Sequence, residues 1–360
     1  MSLSFDELLR RAVESRASDV HLKVGSPPVV RIDGELLRLA DLPSLRPDDV
    51  ETFAREIFTV KAAEVFDATG EADFAYGRPD LGRFRVGAFR QRGSVSLVLR
   101  RVVPGVPTID QLGLPPVVRK LATETRGLIL ATGPAGSGRT TTLAAIVEHI
   151  NQTQPVSIIT AEDPIEVLFP DKMAVVAQRE VGVDTPDLAS AVRKAMRQDA
   201  DVILISEIND PETAVAALAA AETGHLVLSS MHTKDPLDTI DRLVEFFPDK
   251  RHPTVRRQLA GLLRGVISQR LLDTADGTGR ILATEILTGH GRVIELIAEG
   301  ADRARFVEAV KESEFFGMQT FDQALLQLVT QRRVALAAAL PYVRNTHEFR
   351  AKALEAGVEV

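Results

Sequence analysis

Leu128-Ile129-Leu130-Ala131-Thr132-Gly133-Pro134-Ala135-Gly136-Ser137-Gly138-Arg139-Thr140-Thr141 is the stretch that decides the fold of this 360-residue chain. Leu128 to Thr132 reads as a buried strand, and from Thr141 to Ile150 the residues Leu143, Ile146, Val147 and Ile150 recur at helical spacing. Strand, glycine loop and helix follow in the order that a phosphate-binding loop needs. Gly133, Gly136 and Gly138 let backbone N–H groups turn inward as an anion nest, and the helix N-terminus adds its positive end. The Thr140 hydroxyl falls where a Mg²⁺ ligand is needed. One position departs: the pattern G-x-x-x-x-G-K-[ST] has Lys where this chain has Arg139. Taken alone, the loop leaves open a tight strand-to-helix turn that binds nothing.

Acidic residues after later strand candidates narrow that choice. Val156 to Ile159 and Val202 to Ile205 read as buried strands, followed closely by Glu162-Asp163 and Ser206-Glu207. Ligands of open parallel sheets bind at the carboxyl ends of strands. Phosphoryl transfer is mostly positioning and charge stabilisation, so it needs one carboxylate near the metal and another to orient the attacking water. Glu207 suits the first role and Glu162 the second. The alternative is that these acids cap strand-to-helix turns, which Asp163 before Pro164 could do unaided. His225 and His232 flank the strand-like run Leu226-Val-Leu228 and its continuation. His232 is placed near the γ-phosphate, while His225 is left structural or at a subunit contact. Two His seven residues apart in a chain without Cys do not make a zinc site.

Composition limits the partners. Charged residues make up 26 % and the net charge is -7, so the overall field repels nucleic acid and anionic membrane. The absence of Cys removes disulfides and thiolate chemistry and fits a reducing compartment. No run approaches eighteen apolar residues, and Met1 to Glu7 lacks a basic segment leading into an apolar core. The sequence predicts a soluble, cytoplasmic protein that reaches a membrane only through a partner.

Residues 1–103 read as a small α+β domain. Ser4 to Glu7 forms a capping box before a stripe of Phe5, Leu8, Leu9, Ala12 and Val13. Val20, Leu22 and Val24 alternate, Asp33-Gly34 turns a hairpin, and alternation resumes from Phe84 to Val102 around Gly93. Residues 104–118, with Pro104, Pro107, Pro115 and Pro116, make a stiff linker. Strand and helix patterns then alternate to about residue 250, which predicts a parallel α/β sheet within a second domain, 119–360. From about residue 292 to 360 the pattern is helical, with Phe321, Leu325, Leu328 and Val329 on one face.

Beyond these motifs, Ala17-Ser-Asp-Val-His21-Leu, Val30-Arg-Ile-Asp-Gly34, Arg83-Phe-Arg-Val86, Glu162-Asp-Pro-Ile-Glu166, Gln178-Arg-Glu180-Val, Asp201 to Glu207, Ala220 to His225 and Gly317-Met-Gln-Thr320 together resemble the type IV pilus retraction ATPases of the PilT type. The resemblance runs from about residue 4 to about residue 350. It implies a PAS-like N-terminal domain, a RecA-like P-loop ATPase domain with C-terminal helices, and a homo-hexameric ring that binds ATP and Mg²⁺ between subunits. Gly133 to Thr141 then corresponds to the Walker A loop, and Glu162 to the catalytic acid of the Asp box. Glu207 corresponds to the Walker B glutamate near Mg²⁺, reached through water, and His225 with His232 to the His box. Arg85 and Arg100 match N-domain arginines that approach the phosphates; a solvated basic strand face is the alternative. The implied partners are an inner-membrane pilus platform protein and a paralogous retraction ATPase, with no nucleic acid and no insertion into the membrane.

The chain leaves the family pattern at Arg139, at Ser206, at Asn209 and in Arg292 to Glu299, which stands where retraction ATPases carry a motif like AIRNLIRE. Arg and Lys differ in kind, because a guanidinium is longer, planar and bidentate. Three functions follow as expectations: a pilus motor or an accessory paralogue of one, a nucleotide-binding regulatory ring subunit with little hydrolysis, and a nucleic-acid translocase. Arg83, Arg85, Arg90, Arg92, Arg100 and Arg101 suggest the last. The acidic balance, the lack of Trp and the presence of only two Tyr argue against it, since stacking platforms are few.

Overall fold

The protein is described by a computed structural model covering residues 4–32, 34–102 and 105–358. Asp33 of the hairpin turn, the first three residues and Pro104 of the linker lie outside the described residues. The chain forms two compact units, residues 1–105 with Glu166–Leu168, and Val106–Ile165 with Phe169–Val360.

The first unit contains α1 (Phe5–Glu14), β1 (Asp19–Lys23), β2 (Val29–Ile32), β3 (Glu35–Arg38), α2 (Pro47–Ile57), α3 (Val60–Thr69), β4 (Glu71–Arg78), β5 (Gly82–Gln91) and β6 (Ser94–Val102). Its strands pair antiparallel in the order β3-β2-β1-β6-β5-β4. The α1 stripe does what its spacing predicts, burying Phe5, Leu8, Leu9 and Ala12. Ser4 Oγ accepts from Glu7 N at 3.2 Å, a cap of about 1 kcal/mol. Alternation along β5 buries Phe84, Val86 and Ala88 and leaves Arg85 exposed, so one face of the sheet joins the core with Phe53, Phe66, Leu97 and Leu99.

The second unit carries α4 (Val117–Leu121), β7 (Gly127–Thr132), α5 (Arg139–Thr153), β8 (Ser157–Glu162), β9 (Val175–Glu180), α6 (Leu188–Ala195), β10 (Val202–Ile205), α7 (Pro211–Glu222), β11 (Leu226–Met231), α8 (Pro236–Glu245), α9 (His252–Leu262), β12 (Leu263–Asp273) and β13 (Arg280–Thr288). Five helices follow, α10 (Arg292–Glu299), α11 (Arg303–Lys311), α12 (Phe321–Thr330), α13 (Leu336–Ala339) and α14 (Thr346–Glu355). The seven-stranded sheet has the order β13-β12-β7-β11-β10-β8-β9. All neighbours are parallel except β12 and β13, an edge hairpin that the sequence reading did not anticipate.

Interior strands of this sheet are buried on both faces and consist of continuous apolar runs, as in Val202 to Ile205. Helix starts are fixed by aspartates: Asp187, Asp210 and Asp235 cap α6, α7 and α8 through side-chain bonds to backbone N–H groups. Pro211 and Pro236 occupy the first helical turn, where the missing N–H costs nothing. Alanines on α7, including Ala214, Ala217, Ala220 and Ala221, allow close packing against the sheet. Among the described residues no helix is long and apolar enough to cross a membrane.

Candidate nucleotide site

Parallel strands end on the same side of a sheet, so the strand order alone aligns the chemistry. Reading across the carboxyl edge, β7 leads into Gly133, β11 into His232, β10 into Ser206-Glu207, and β8 ends on Glu162. Neighbouring strands lie about 4.8 Å apart. His232 therefore falls between the glycine loop and Glu207, and Glu207 falls between His232 and Glu162. Hydrogen bonds beyond the strand ladders hold this edge together. Ser206 N donates to Ala161 O at 2.9 Å, Ile208 N to Ser230 O at 2.9 Å, and Ser230 Oγ to Ser206 O at 2.7 Å.

The glycines of the loop have distinct reasons to be glycine. Gly133 has φ +146°, and a Cβ there would lie 2.5 Å from the Gln269 backbone oxygen and 2.5 Å from Ser137 Oγ. Gly136 and Gly138 have φ +76° and +90° with open space around the missing Cβ or only ordinary contact, so conformation alone decides them. Gly138 is the N-cap of α5, whose first turn presents Arg139, Thr140 and Thr141. Thr140 and Thr141 are exposed, which leaves their hydroxyls available to a ligand.

Two residues that the sequence reading missed pin the loop from β12. Ser268 Oγ pairs with Thr132 Oγ1 at 2.7 Å at the end of β7, and Gln269 Nε2 donates to Thr142 Oγ1 at 2.9 Å just after the loop. All four side chains are buried. The only signal in sequence was a polar pair inside the apolar run around Val266-Ile267.

Around the loop the structure brings together Arg139, His232 and Glu207. Arg139 Nη2 lies 2.9 Å from His232 Nε2, and that histidine nitrogen lies 3.1 Å from Glu207 Oε2. Glu162 is buried, and its Oε1 accepts from Thr160 Oγ1 at 2.6 Å and from Gln178 Nε2 at 2.9 Å. His225 is not part of this group. It precedes the opposite end of β11, where its Nδ1 donates to Ala220 O at 3.0 Å and helps close the C-terminus of α7. Arg85 and Arg100 belong to the first unit, on adjacent strands, where Arg100 Nε donates to the buried Asp19 Oδ1 at 2.8 Å.

A cavity of about 580 Å³ borders Pro134 to Ser137, His232, Lys234, Arg270 and Arg280. A second, of about 380 Å³, borders Gly138, Thr141, Thr142, Leu271, Leu282 and Leu328. The first is basic and faces the tip of the loop. The second mixes Leu271, Leu282 and Leu328 with polar Asp110, Gln111, Gln269, Arg280 and Arg333, and it faces the start of α5.

A parallel sheet with a glycine-rich anion nest, a helix N-terminus and convergent carboxylates at one edge defines a RecA-like P-loop nucleotide-binding protein. Residues 82–355 match the family described as type II/IV secretion system protein, and the chain belongs to it. It is 40 % identical over 329 residues to the type IV pilus retraction ATPase PilT of Pseudomonas aeruginosa, spanning 91 % of this chain and 95 % of that one. It is 36 % identical over 348 residues to the type IV pilus ATPase PilU of the same organism, spanning 97 % and 91 %. A crystal structure of the pilus retraction motor PilT with bound ADP is similar at a TM-score of 0.89 and 42 % identity, covering 97 % of this chain and 99 % of that chain. The resemblance drawn from the motifs, and the mixed α/β fold it implied, are thus borne out.

Proposed function

We propose that this chain is an ATP-hydrolysing motor of a type IV pilus machine, acting in retraction or beside a principal retraction motor. The observation that carries this reading is the glycine nest set at one sheet edge with Glu162, Glu207 and His232, in a chain 40 % identical to PilT over 91 % of its length.

The loop fits a nucleotide: Gly133 has no room for a side chain, and the anion nest opens beside exposed Thr140. Loop N–H groups from Ala135–Arg139 and the α5 N-terminus hold the phosphates, while Arg139 supplies a fixed positive charge. The base and ribose would occupy the cavity beside Thr141, Leu271 and Leu328. Mg²⁺, held by Thr140 and through water by Glu207, would neutralise charge on the phosphate oxygens. Glu162 orients the attacking water and takes up its proton. His232 holds its place between the loop and Glu207, where it senses the terminal phosphate.

The remaining assignments rest on the resemblance. Residues 1–103 act as a PAS-like domain joined by the 104–118 linker to the ATPase domain, and Arg85 and Arg100 approach the phosphates. Six copies form a ring in the cytoplasm, docked on an inner-membrane platform protein and working with a paralogous retraction ATPase.

The Arg139–His232 contact favours one second reading, a ring subunit that binds nucleotide and turns it over slowly. Light scattering with ATP and Mg²⁺, together with steady-state ATPase of the chain alone and mixed with its cognate retraction ATPase, tests both. A hexamer with its own turnover supports the motor. A hexamer that binds ATP and hydrolyses only background amounts supports the regulatory ring, and a strict monomer at all micromolar concentrations contradicts both.

A further inference from the structure

The environment of Glu162 contains a device that the hydrolysis reading does not use. Gln178 stands on β9, two residues before Glu180, which is the register partner of Glu162 across the β8–β9 pair. Its side chain bridges two groups. Gln178 Oε1 accepts from Phe169 N at 2.9 Å, and Gln178 Nε2 donates to Glu162 Oε1 at 2.9 Å.

An amide has one acceptor end and one donor end, so fixing the first fixes the second. The Phe169 N–H can only donate. It therefore commits the oxygen of Gln178 to the backbone and the NH₂ to the carboxylate. Glu180 braces the other side of the same segment, where its Oε2 accepts from Ile165 N at 3.0 Å. The backbone is thus tied to β9 side chains at Ile165 and again at Phe169, and the donor aimed at Glu162 is anchored to one of those ties.

Thr160 Oγ1 adds a second donor to the same carboxylate oxygen at 2.6 Å, from a fully buried position on β8. Two donors on Oε1 localise negative charge there and fix the carboxylate plane. Positioned donors of this kind hold the ionised form and limit rotation about the last side-chain bond.

We infer that Gln178 is a positioning residue for Glu162, orienting the water-activating carboxylate through an amide whose direction is set by the Phe169 N–H. The inference rests on the proposed hydrolysis of ATP. Other titratable groups on Glu162 and its flanking strands are Asp163 next in sequence, Arg179 and Glu180 on β9, and Glu207 beyond β10.

Gln178→Glu separates positioning from structure. One carboxylate oxygen of the new side chain still accepts from Phe169 N, while the other faces Glu162 Oε1, where two carboxylates that close share a proton. The expected result is a fall in kcat at pH 7 of about tenfold or more, with the acid limb of the kcat profile moved to higher pH. KM for ATP, ADP affinity and hexamer formation should stay within about twofold of the parent. Gln178→Met, matched in length but without the amide donor, should lower kcat with no displaced limb. An active parent whose Gln178→Glu variant keeps its kcat and pH profile overturns the assignment. If Gln178→Glu does not assemble, unchanged kcat in Gln178→Met overturns it instead. A parent that binds ATP but shows no turnover refutes the hydrolysis reading, and the inference falls with it.

Discussion

Arg139 Nη2 lies 2.9 Å from His232 Nε2, a nitrogen that also lies 3.1 Å from Glu207 Oε2. A guanidinium only donates and a carboxylate only accepts, whereas one imidazole nitrogen carries either a lone pair or a proton. Nε2 satisfies Arg139 in one tautomer and Glu207 in the other. Phosphate oxygens compete for the guanidinium, because bidentate binding of phosphate by Arg is among the stronger charge-assisted contacts. In the proposed nucleotide complex, phosphate on Arg139 would leave His232 to donate to Glu207, which would couple the loop to that acid.

Replacing Arg139 by Lys tests whether this coupling slows turnover. A compact ammonium gives up the contact with His232 and sits between β- and γ-phosphates, where transition-state charge builds. The expected gain is about 1.4 kcal/mol, or roughly tenfold in kcat. Nucleotide Kd should change less, since backbone N–H groups supply much of the ground-state grip. Steady-state kinetics and Kd under one Mg²⁺ and salt condition make the comparison. An unchanged or lower kcat shows that the site accommodates Arg139 and points to Asn209 and Arg292 to Glu299 as the relevant departures.

Gly133→Ala should damage the loop without unfolding the unit. The added methyl would meet Gln269 O and Ser137 Oγ at 2.5 Å in a backbone conformation that L residues rarely adopt. Strain of about 1–3 kcal/mol is expected, with nucleotide binding weakened about tenfold or more. Isothermal titration with ADP measures it, and a wild-type Kd would mean that the loop shifts freely.

Much of this candidate site was legible before the structure because each candidate group ends or closely follows its own strand. Leu128 to Thr132 and Val202 to Ile205 are continuous apolar runs, and the residues after them could be placed at one sheet edge by parallel topology alone. The contacts made by Ser268, Gln269 and Gln178 were not legible. These side chains reach the loop and Glu162 from β12 and β9, whose neighbours are set by the strand order and by no local pattern. The β12–β13 hairpin was itself missed, because Arg264, Ser268, Gln269 and Arg270 interrupt its apolar run. In the small unit α1 and the hairpins announce themselves through a cap, turns and alternation, whereas α2, α3 and β4 were not read.

The C-terminal helices bring a pH dependence. Glu285 on β13 is 2 % exposed, and Arg344 Nη2 donates to both its oxygens at 2.7 and 3.0 Å. Burial pushes its carboxyl up to about 7, with Asp235 adding to the rise and Arg344 opposing it. The folded state then holds the proton more tightly than the unfolded chain. Stability from this group is present below the ordinary glutamate value of 4.5 and falls as pH rises through about 7. Glu285→Gln removes that slope, so its stability relative to the parent should improve between pH 5 and pH 8, on the order of 2 kcal/mol. Urea unfolding at both pH values checks it, and an equal difference at each would contradict the assignment.

Hydrolysis of ATP with Glu162 as the group that activates water is the central claim, and single-turnover hydrolysis by the parent and Glu162→Gln under saturating Mg²⁺ tests it most directly. Gln keeps the size of the side chain and its capacity to accept from Thr160 and loses the base. The expected result is measurable turnover by the parent, a loss of about a hundredfold or more in the variant, and ATP affinity within a few-fold of the parent. A variant that hydrolyses ATP at the parent's rate would contradict the claim.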